Sequence, residues 1–485
     1  MTIDSAKNTQ RQRSKRIELI IVPGKSLGPF RLGSSLWDVI YFLRDRPQFF
    51  PTVELKYSQE DPLFYDFIIA LPSNGLNLRF DGALQRLKSM ECYDPSKVKL
   101  VYQNSDVSSS RTIPTFLLVY KSFGPTYPGE FDPLKGLYIL KYPGVSFMFP
   151  IPTRYQDLYA KSSELPLEFP DGTTAIASHI YLYSGGNSWQ KATVPVLSKV
   201  VAEQNSSTSV KYGKPGRREV ENIIAQPTQG VTLHFPNYNS FHETNKPNEN
   251  ILATSVNHVS IILHRSSAQD ILAELGKPSR IFYKEEDKMK IHSIMDERSM
   301  LGKSPNKDER QDYVHTVNLE DEDKDSTSAH PTDYFLNYFH LGIDILMDGA
   351  LHVCKKIILH GNIPGHYDFQ RYKRCRFQLE FKHEDAAEKD PNLLVDVDTA
   401  LDDDQFLHVV ADMKISDMRK HIPWKPSSTV TVTPNESQAT QHKPVILTRG
   451  SSEQNPFGAT YLTGYDEGLV IEVMKNGCIP TMILF

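Results

Sequence analysis

The sequence predicts an α+β fold, in which a unit made of a helix packed on a small antiparallel β-sheet occurs twice, with long polar loop insertions. The phrase LNLRFDGALQRLK at 76–88 recurs as IDILMDGALHVCK at 343–355. Short strands and hairpin turns outnumber helices, which favours α+β over a doubly wound parallel sheet. The matched segments occur in the same order in both copies. The distance between successive segments differs between the copies only where polar, acidic sequence intervenes, as expected of surface insertions.

The first copy is predicted to start with a strand at 17–22 and a helix at 34–43. Ser34 or Ser35 can cap this helix, whose apolar residues fall on one face. The remaining strands are predicted at 53–58, 65–72, 76–80 and 83–93. Asp81 and Gly82 are predicted to form a hairpin turn, because both residue types tolerate positive φ.

The second copy repeats this order along the chain. It is predicted to contain strands at 259–264, 280–284, 333–347 and 350–360 and a helix at 266–276. Gly276 suits a left-handed helix cap. Asp348 and Gly349 form the second predicted hairpin turn.

These patterns give four regions. They are a disordered basic tail at 1–16, a first repeat at 17–151, a connecting β-rich region with a mobile loop at 152–255, and a second repeat at 256–485. Insertions are expected near 294–332 and 383–441, and the connecting region has strand candidates at 178–184 and 230–236. The alternative is two unrelated β-rich domains that share common turn chemistry.

Composition narrows the function classes. The chain has 485 residues and a formal charge of −5, with 54 basic and 59 acidic side chains, so nucleic acid is not the expected partner. Four cysteines without paired spacing indicate a reducing compartment. No apolar run approaches the length of a spanning helix, and the N-terminus lacks a secretory signal, so we expect a cytoplasmic protein with at most peripheral membrane contact.

Catalytic and cofactor motifs are missing from the sequence, which predicts no enzyme, no cofactor and no metal site. His360 and His366, with Cys354 and Cys375 nearby, match no common zinc spacing, and we expect His366 to hydrogen-bond to backbone in a turn. Three carboxylates at 402–404 lie in a solvated insertion, which is unsuited to catalysis. A further hypothesis is an unrecognised enzyme, which would require a pocket with convergent polar groups.

The most informative charged segment is a basic run at 371–376. If it forms a strand, Arg374 and Arg376 share one face, and Arg371 and Lys373 share the other. These four residues are the candidate contact for anionic lipid headgroups or a protein partner. The alternative is a solvated edge strand whose charges prevent aggregation.

Aromatic residues are abundant, with 24 Phe and 23 Tyr, and they cluster in YFLNYFH at 334–340. Rings of this kind either line an interface or are buried on both faces of a central strand. Both interpretations stay open at this point.

Several longer segments resemble one family. They include VPGKSLGPFRLGSSLWDVI, FYKEEDKMKIHS, NPFGATY and LGIDILMDGALHVCKKIILHGNIPGHYDF. Together they are similar to the phagosome assembly factor family, and the resemblance covers most of both repeats. That family has no established catalytic residues to carry over.

The resemblance implies a non-enzymatic interaction protein of autophagy that acts with a WD-repeat β-propeller partner at the phagophore assembly site. The alternative is a peripheral phosphoinositide-binding factor in traffic from the trans-Golgi network to the plasma membrane. Differences between the two copies indicate where to look for function. The first copy continues with Gln85 and Arg86, whereas the second continues into IPGHYDF and the basic run.

Overall fold

The structure is a computed structural model. It describes residues 16–125, 129–159, 165–201, 219–236, 258–284, 332–382, 406–421, 445–447, 458–465 and 468–485.

The first half of the chain contains thirteen strands and three α-helices whose bounds are fully described, and residues 197–201 are also helical. The strands are β1 (Glu18–Val22), β2 (Ser26–Leu27), β3 (Phe30–Arg31), β4 (Glu54–Lys56), β5 (Phe67–Leu71), β6 (Leu76–Phe80), β7 (Leu87–Cys92), β8 (Lys99–Tyr102), β9 (Ser105–Ser108), β10 (Glu130–Asp132), β11 (Leu137–Tyr142), β12 (Val145–Pro150) and β13 (His179–Tyr183). The helices are α1 (Leu36–Arg44), α2 (Phe116–Phe123) and α3 (Thr153–Tyr159).

The second half contains thirteen strands and two α-helices in the part that the structure describes. The strands are β14 (Asn222–Gln226), β15 (Gly230–His234), β16 (His258–Ile262), β17 (Arg280–Tyr283), β18 (Tyr334–Tyr338), β19 (Ile343–Met347), β20 (Cys354–His360), β21 (Phe377–Lys382), β22 (Phe406–Val410), β23 (Val445–Leu447), β24 (Thr460–Tyr465), β25 (Leu469–Val473) and β26 (Thr481–Leu484). The helices are α4 (Ala268–Leu275) and α5 (Ile415–His421).

These strands form four sheets, two in each half, and the two halves have the same strand order. The five-stranded sheets run β3-β2-β1-β8-β9 and β16-β15-β14-β21-β22. The eight-stranded sheets run β10-β11-β12-β13-β7-β6-β5-β4 and β23-β24-β25-β26-β20-β19-β18-β17. Each five-stranded sheet contains one parallel pair, β1 with β8 and β14 with β21. Adding thirteen to each strand number in the sheets of the first half therefore gives the strand order of the sheets in the second half.

This architecture corrects the predicted boundaries. The fold is mixed and has few helices, as expected, but it consists mostly of sheet rather than of a helix on one small sheet. The region at 152–255 is not a separate unit, because β13 pairs with β7 and β12 in the first half and β15 pairs with β14 and β16 in the second.

The predicted insertions are also affected. Within 383–441, β22 pairs with β21 and is followed by α5, so this part belongs to the second unit. The remainder of that insertion and nearly all of 294–332 lie outside the described residues, as does the tail at 1–15.

The helices α1 and α4 follow from local sequence. Ser35 caps α1 by accepting the Asp38 N–H at 3.2 Å, and the α1 face with Leu36, Val39, Ile40 and Leu43 is buried. In α4, the Ser267 hydroxyl accepts the Asp270 N–H, while the Asp270 carboxylate accepts the Ser267 N–H at 3.0 Å, which is a capping box. Gly276 ends α4 with φ of 78°.

The two Asp-Gly sites do turn the chain, but not as two-residue hairpin turns. In the first half the loop closes between the Asp81 N–H and the Arg86 carbonyl at 3.0 Å, and Gln85 has the positive φ, 49°. In the second half Asp348 N–H bonds to the Val353 carbonyl at 2.8 Å, and His352 has a φ of 55°. The left-handed residue is thus the fifth of the loop, and the prediction that Asp-Gly occupies that conformation is wrong.

Each of these loops docks on the start of a helix. The Leu36 N–H of α1 donates to the Gln85 carbonyl at 2.8 Å, and the Ala268 N–H of α4 donates to the His352 carbonyl at 2.9 Å. The first N–H groups of a helix have no partner within the helix, so a carbonyl presented by a left-handed residue satisfies one of them. The repeated phrase therefore encodes a contact between loop and helix.

Each half has its own hydrophobic core. One core extends from Leu19 to Leu182 and the other from Ile223 to Leu484. A small third cluster joins the halves: Leu63 from the first half contacts Ile363, Met474 and Cys478 from the second. The packing thus gives two units with a junction between them.

Candidate functional site at the junction of the two halves

The basic run at 371–376 lies at this junction and not on a strand. It precedes β21, which is paired on both sides, with β14 and β22. Both sequence interpretations, a strand with two basic faces and a solvated edge strand, are therefore wrong. The run is an irregular segment that contacts the first half.

Arg374 is the most buried cation of the run, with its side chain only 3% exposed. Its Nε donates to the Ala83 carbonyl at 2.7 Å, in the turn of the first half. Its other nitrogens donate to the Gly361 carbonyl and to the Asp412 carboxylate, the latter at 2.6 Å. A planar guanidinium can hold three acceptors at fixed angles, so Arg374 ties the two halves together.

Lys373 enters a second ionic cluster across the junction. Its Nζ lies 3.0 Å from the Glu219 carboxylate and 3.5 Å from that of Asp38. Arg86 lies 2.6 Å from Glu219 on the other side. Burial alone would raise the pKa of Glu219, but the charges of Lys373 and Arg86 outweigh it and lower the pKa to about 2. Glu219 is therefore ionised at neutral pH and holds both cations.

The other two members of the predicted site are solvent-accessible. The Arg371 side chain is half-exposed and pairs with Asp368 at 3.1 Å, while its carbonyl accepts the Trp37 indole N–H at 3.2 Å. Arg376 is exposed. The four cations consequently form no common basic patch, because Lys373 and Arg374 are used within the protein.

A buried amide pair completes the junction. The Gln85 side chain donates to the Asn362 carbonyl at 2.6 Å, and the Asn362 side chain donates to the Gln85 side-chain oxygen at 2.8 Å. The Asn362 side-chain oxygen accepts the Gln370 N–H at 2.8 Å. Sequence reasoning assigned these residues no role, although the difference between the copies at Gln85 and Arg86 was the available signal.

Two buried histidines lie near the junction, each beside a carboxylate. His360 lies 3.0 Å from Asp344, whose same oxygen accepts the Tyr372 hydroxyl at 2.6 Å. His366 lies 3.2 Å from Glu472. The other His366 nitrogen accepts the Asp368 N–H at 3.3 Å, which confirms the expected backbone contact.

These histidines are held by carboxylates rather than gathered as metal ligands. Within the described ranges, no group of three or more His, Cys, Asp or Glu side chains is arranged to hold a metal ion. All four cysteines are buried as free thiols, and burial raises the pKa of Cys92, Cys354 and Cys375 to about 12. A metal needs the thiolate, which burial disfavours. The acidic triplet at 402–404 lies outside the described residues.

Two concavities border the junction. A cleft of about 170 Å³ lies between the halves, with Trp37, Gln85, Val196, Leu341 and Lys373 in its lining. A groove of about 490 Å³ lies at one end of the second five-stranded sheet and contains His234, His258 and Gln378. Arg376, one of the two exposed cations of the run, lines both.

The aromatic cluster YFLNYFH falls mostly on β18. This strand lies between β17 and β19, and Leu336 and Tyr338 are fully buried in the second core. Phe335 stacks on Phe282 of β17. The rings of this cluster are thus largely explained by packing within the sheet, and the neighbouring strand β17 carries the exposed Phe282 and Tyr283.

Comparison with known proteins decides the family. The model of the family described as phagosome assembly factor 1 matches residues 26–316 and 306–485. The chain belongs to the phagosome assembly factor 1 family. The resemblance seen in the sequence motifs is thereby confirmed.

Relatives in the phagosome assembly factor 1 family align over nearly the whole chain. A PHAF1 protein of Arabidopsis thaliana is 32% identical over 469 residues, covering 96% of this chain and 92% of its own length. One of Drosophila melanogaster is 31% identical, with coverages of 97% and 94%, and one of Caenorhabditis elegans is 26% identical, with 94% and 90%. No solved structure matches. None of the helices within the described residues is long and apolar enough to cross a membrane.

Replacing Glu219 with glutamine tests the ionic cluster. We expect the free energy of unfolding at pH 7 to fall by about 2 kcal/mol, because Lys373 and Arg86 lose a charged acceptor. Since the pKa of Glu219 is lowered in the folded state, its contribution is complete above the ordinary value near 4.5 and disappears as the pH falls toward 2. Urea unfolding at several pH values measures this.

The exposed Glu221, two residues away, supplies the control. Glu221→Gln is expected to change the free energy of unfolding little at any pH. A Glu219→Gln difference that stays constant from pH 7 to pH 2 would contradict the assignment of charge to Glu219.

Proposed function

We propose that this chain is a non-enzymatic interaction protein in the assembly of autophagic membranes. It acts with a WD-repeat β-propeller partner at the phagophore assembly site, and it is recruited there from the cytoplasm. The observation that carries the proposal is membership of the phagosome assembly factor 1 family along almost the whole chain. The propeller partner is what the family resemblance of the motifs implies.

The junction suits such a role. Arg374, the Gln85–Asn362 pair and the Glu219 cluster fix one unit on the other through buried contacts. Two units of the same topology that are held in one arrangement present a constant surface to a partner, which lowers the ordering cost of binding. We infer that the two units arose by duplication of one, and that the residues joining them are where the copies diverged.

The test is affinity purification of the tagged chain from fed and starved cells, with imaging of its position. We expect a β-propeller protein to copurify and the chain to move to phagophores on starvation. Purification without any propeller protein, together with unchanged position on starvation, would remove the proposal. Leu134→Ser, at a side chain that is 97% exposed and belongs to no candidate site, serves as a folded variant against which junction variants can be compared.

The second candidate is a peripheral phosphoinositide-binding factor in traffic from the trans-Golgi network to the plasma membrane. The observation that favours it is the accessibility of Arg371 and Arg376 at the surface of the junction. Each basic side chain near an anionic surface contributes about 1 kcal/mol. Lys373 and Arg374 are excluded from this contact, because they are paired inside the protein.

Flotation with vesicles containing phosphatidylcholine, with or without a phosphoinositide, distinguishes the candidates. If Arg371 and Arg376 bind headgroups, replacing both with alanine should lower the bound fraction several-fold and reduce its salt sensitivity. Equal flotation of wild type and double variant rejects this site. Variants of Lys373 and Arg374 are unsuitable here, since they also alter folding.

A further inference from the structure

Strand β17 is an unusually open edge. It is the last strand of the second eight-stranded sheet and pairs with β18 on one side, and no described strand pairs with its other side. Its three apolar residues are all accessible: Ile281 is 48% exposed, Phe282 43% and Tyr283 62%. Open apolar edges bind other strands unless something covers or charges them.

The unpaired backbone groups of this edge can be assigned. The Lys284 N–H donates to the Asp333 carbonyl at 2.9 Å, toward β18. Residues of an antiparallel strand alternate in the direction of their hydrogen bonds, so the N–H and C=O groups of Tyr283 and Ile281 point away from β18. The edge therefore offers two donor and acceptor pairs to another strand.

In the first half the equivalent edge carries charges. There the outermost strand is β4, in which Leu55 pairs with Ile69, just as Ile281 pairs with Leu336. Leu55 is partly buried against the first core, and its neighbours Glu54 and Lys56 are charged. Charges of this kind protect an edge from adding strands.

The segment between the helix and the edge strand also differs between the halves. Residues 45–53 link α1 to β4 and include Phe50, which is 2% exposed and packs edge-on against Phe30 and Phe42. In the second half only residues 276–279 link α4 to β17. The described link before β17 thus has no counterpart of this aromatic contribution to the core, and Ile281 is exposed whereas Leu55 is partly buried.

Charge indicates what kind of segment fits. Lys277 and Arg280 are exposed beside the start of this edge and Lys284 follows its end; the sequence then continues with three acidic residues at 285–287, outside the described residues. A second copy paired antiparallel about Phe282 would place Arg280 opposite Lys284 of that copy, and like charges directly opposite destabilise a sheet. Acidic ends on the added strand would be attracted instead.

We propose that β17 is a docking edge for an added β-strand, supplied by a partner segment with apolar or aromatic residues at alternate positions and acidic residues at its ends. Backbone groups of Ile281 and Tyr283 give the affinity, and the exposed side chains give the preference for apolar residues, as in other cases of strand addition. This surface is distinct from the basic run, and the inference holds whichever protein carries the segment.

The probe is a fluorescein-labelled peptide, DETFTITED, added to the full chain and followed by fluorescence anisotropy. We expect saturable binding at least ten-fold tighter than that of the matched peptide KKTFTITKK. Hydrogen exchange of the segment 280–284 should slow on adding the acidic peptide, since the outward amides become bonded. Failure of the acidic peptide to bind, or binding without protection of these amides, overturns the proposal.

Two variants locate the site. Ile281→Lys adds a charge to the exposed edge, and Tyr283→Pro removes an outward N–H while keeping the β17–β18 bonds. Each should weaken acidic-peptide binding at least ten-fold, whereas Val53→Lys, an exposed apolar residue next to the equivalent strand β4, should not. Equal binding by all variants overturns the assignment. The alternative is that a second copy of the chain pairs with β17. Analytical ultracentrifugation tests this alternative: a dimer of the wild type that is lost in Ile281→Lys would show that a second copy occupies the edge.

Discussion

Replacing Arg374 with methionine is expected to lower the free energy of unfolding by about 3–5 kcal/mol, the usual effect of removing one partner from a buried ion pair. The variant leaves the Ala83 and Gly361 carbonyls and the Asp412 carboxylate without their shared donor. Methionine has a similar volume, so the loss reports polar contacts rather than a cavity. Urea denaturation followed by circular dichroism measures it.

Two further variants make this result specific. Arg376→Met removes an exposed cation of the same run and should cost less than about 0.5 kcal/mol, as surface changes usually do. Arg374→Lys keeps the charge but cannot reach three acceptors at fixed angles, so most of the loss should persist. If lysine restored wild-type stability, charge alone would explain the role of Arg374 and the bridging geometry would be unimportant.

Replacing Gly82 with alanine is expected to cost about 3 kcal/mol, at the upper end for overpacking. A Cβ at this position would lie 2.4 Å from the Tyr65 carbonyl oxygen and 2.7 Å from that of Leu63. Both contacts are backbone atoms, which cannot rotate away as a side chain would. The glycine is therefore required by close approach and not by a positive φ.

Gly82→Asn separates these two explanations. Asparagine tolerates positive φ, so a hairpin-turn role would make it nearly harmless, whereas close approach makes it at least as damaging as alanine. His352→Gly is the control at a residue that does have positive φ, 55°, and should change stability by less than about 1 kcal/mol. A stable Gly82→Asn variant would contradict the close-approach explanation.

Much of the local structure could be predicted from the sequence. Helix α1 was expected at 34–43 and runs from Leu36 to Arg44, because its cap and its apolar face are encoded within ten residues. The two Asp-Gly phrases correctly mark corresponding turns. The predicted turn geometry was wrong, because Asp-Gly is a signal for two-residue hairpin turns. The conformation of these loops is instead fixed by their contact with a helix that begins some 50–80 residues earlier in the chain.

The candidate site was predicted less well. Residues 371–376 were identified as important, but the roles of Lys373 and Arg374 depend on Glu219, Asp38 and Ala83, which are 154 to 335 residues away in sequence. A basic run has the same composition whether it faces a membrane or an internal carboxylate. Burial of the side chains decides between these two roles, and burial depends on residues that are distant in the sequence.

The sequence by itself thus determined the family, the mixed fold with few helices and the positions of the repeated turns, because caps, apolar alternation and family motifs are properties of short segments. Only the tertiary structure decided that β13 and β15 belong to different halves, that Arg374 is internal, and that the apolar side chains of β17 are exposed while Leu55 of β4 is partly buried. Each of these features depends on which distant segment buries a given side chain. That pairing is set by the free energy of the whole folded chain and not by local sequence.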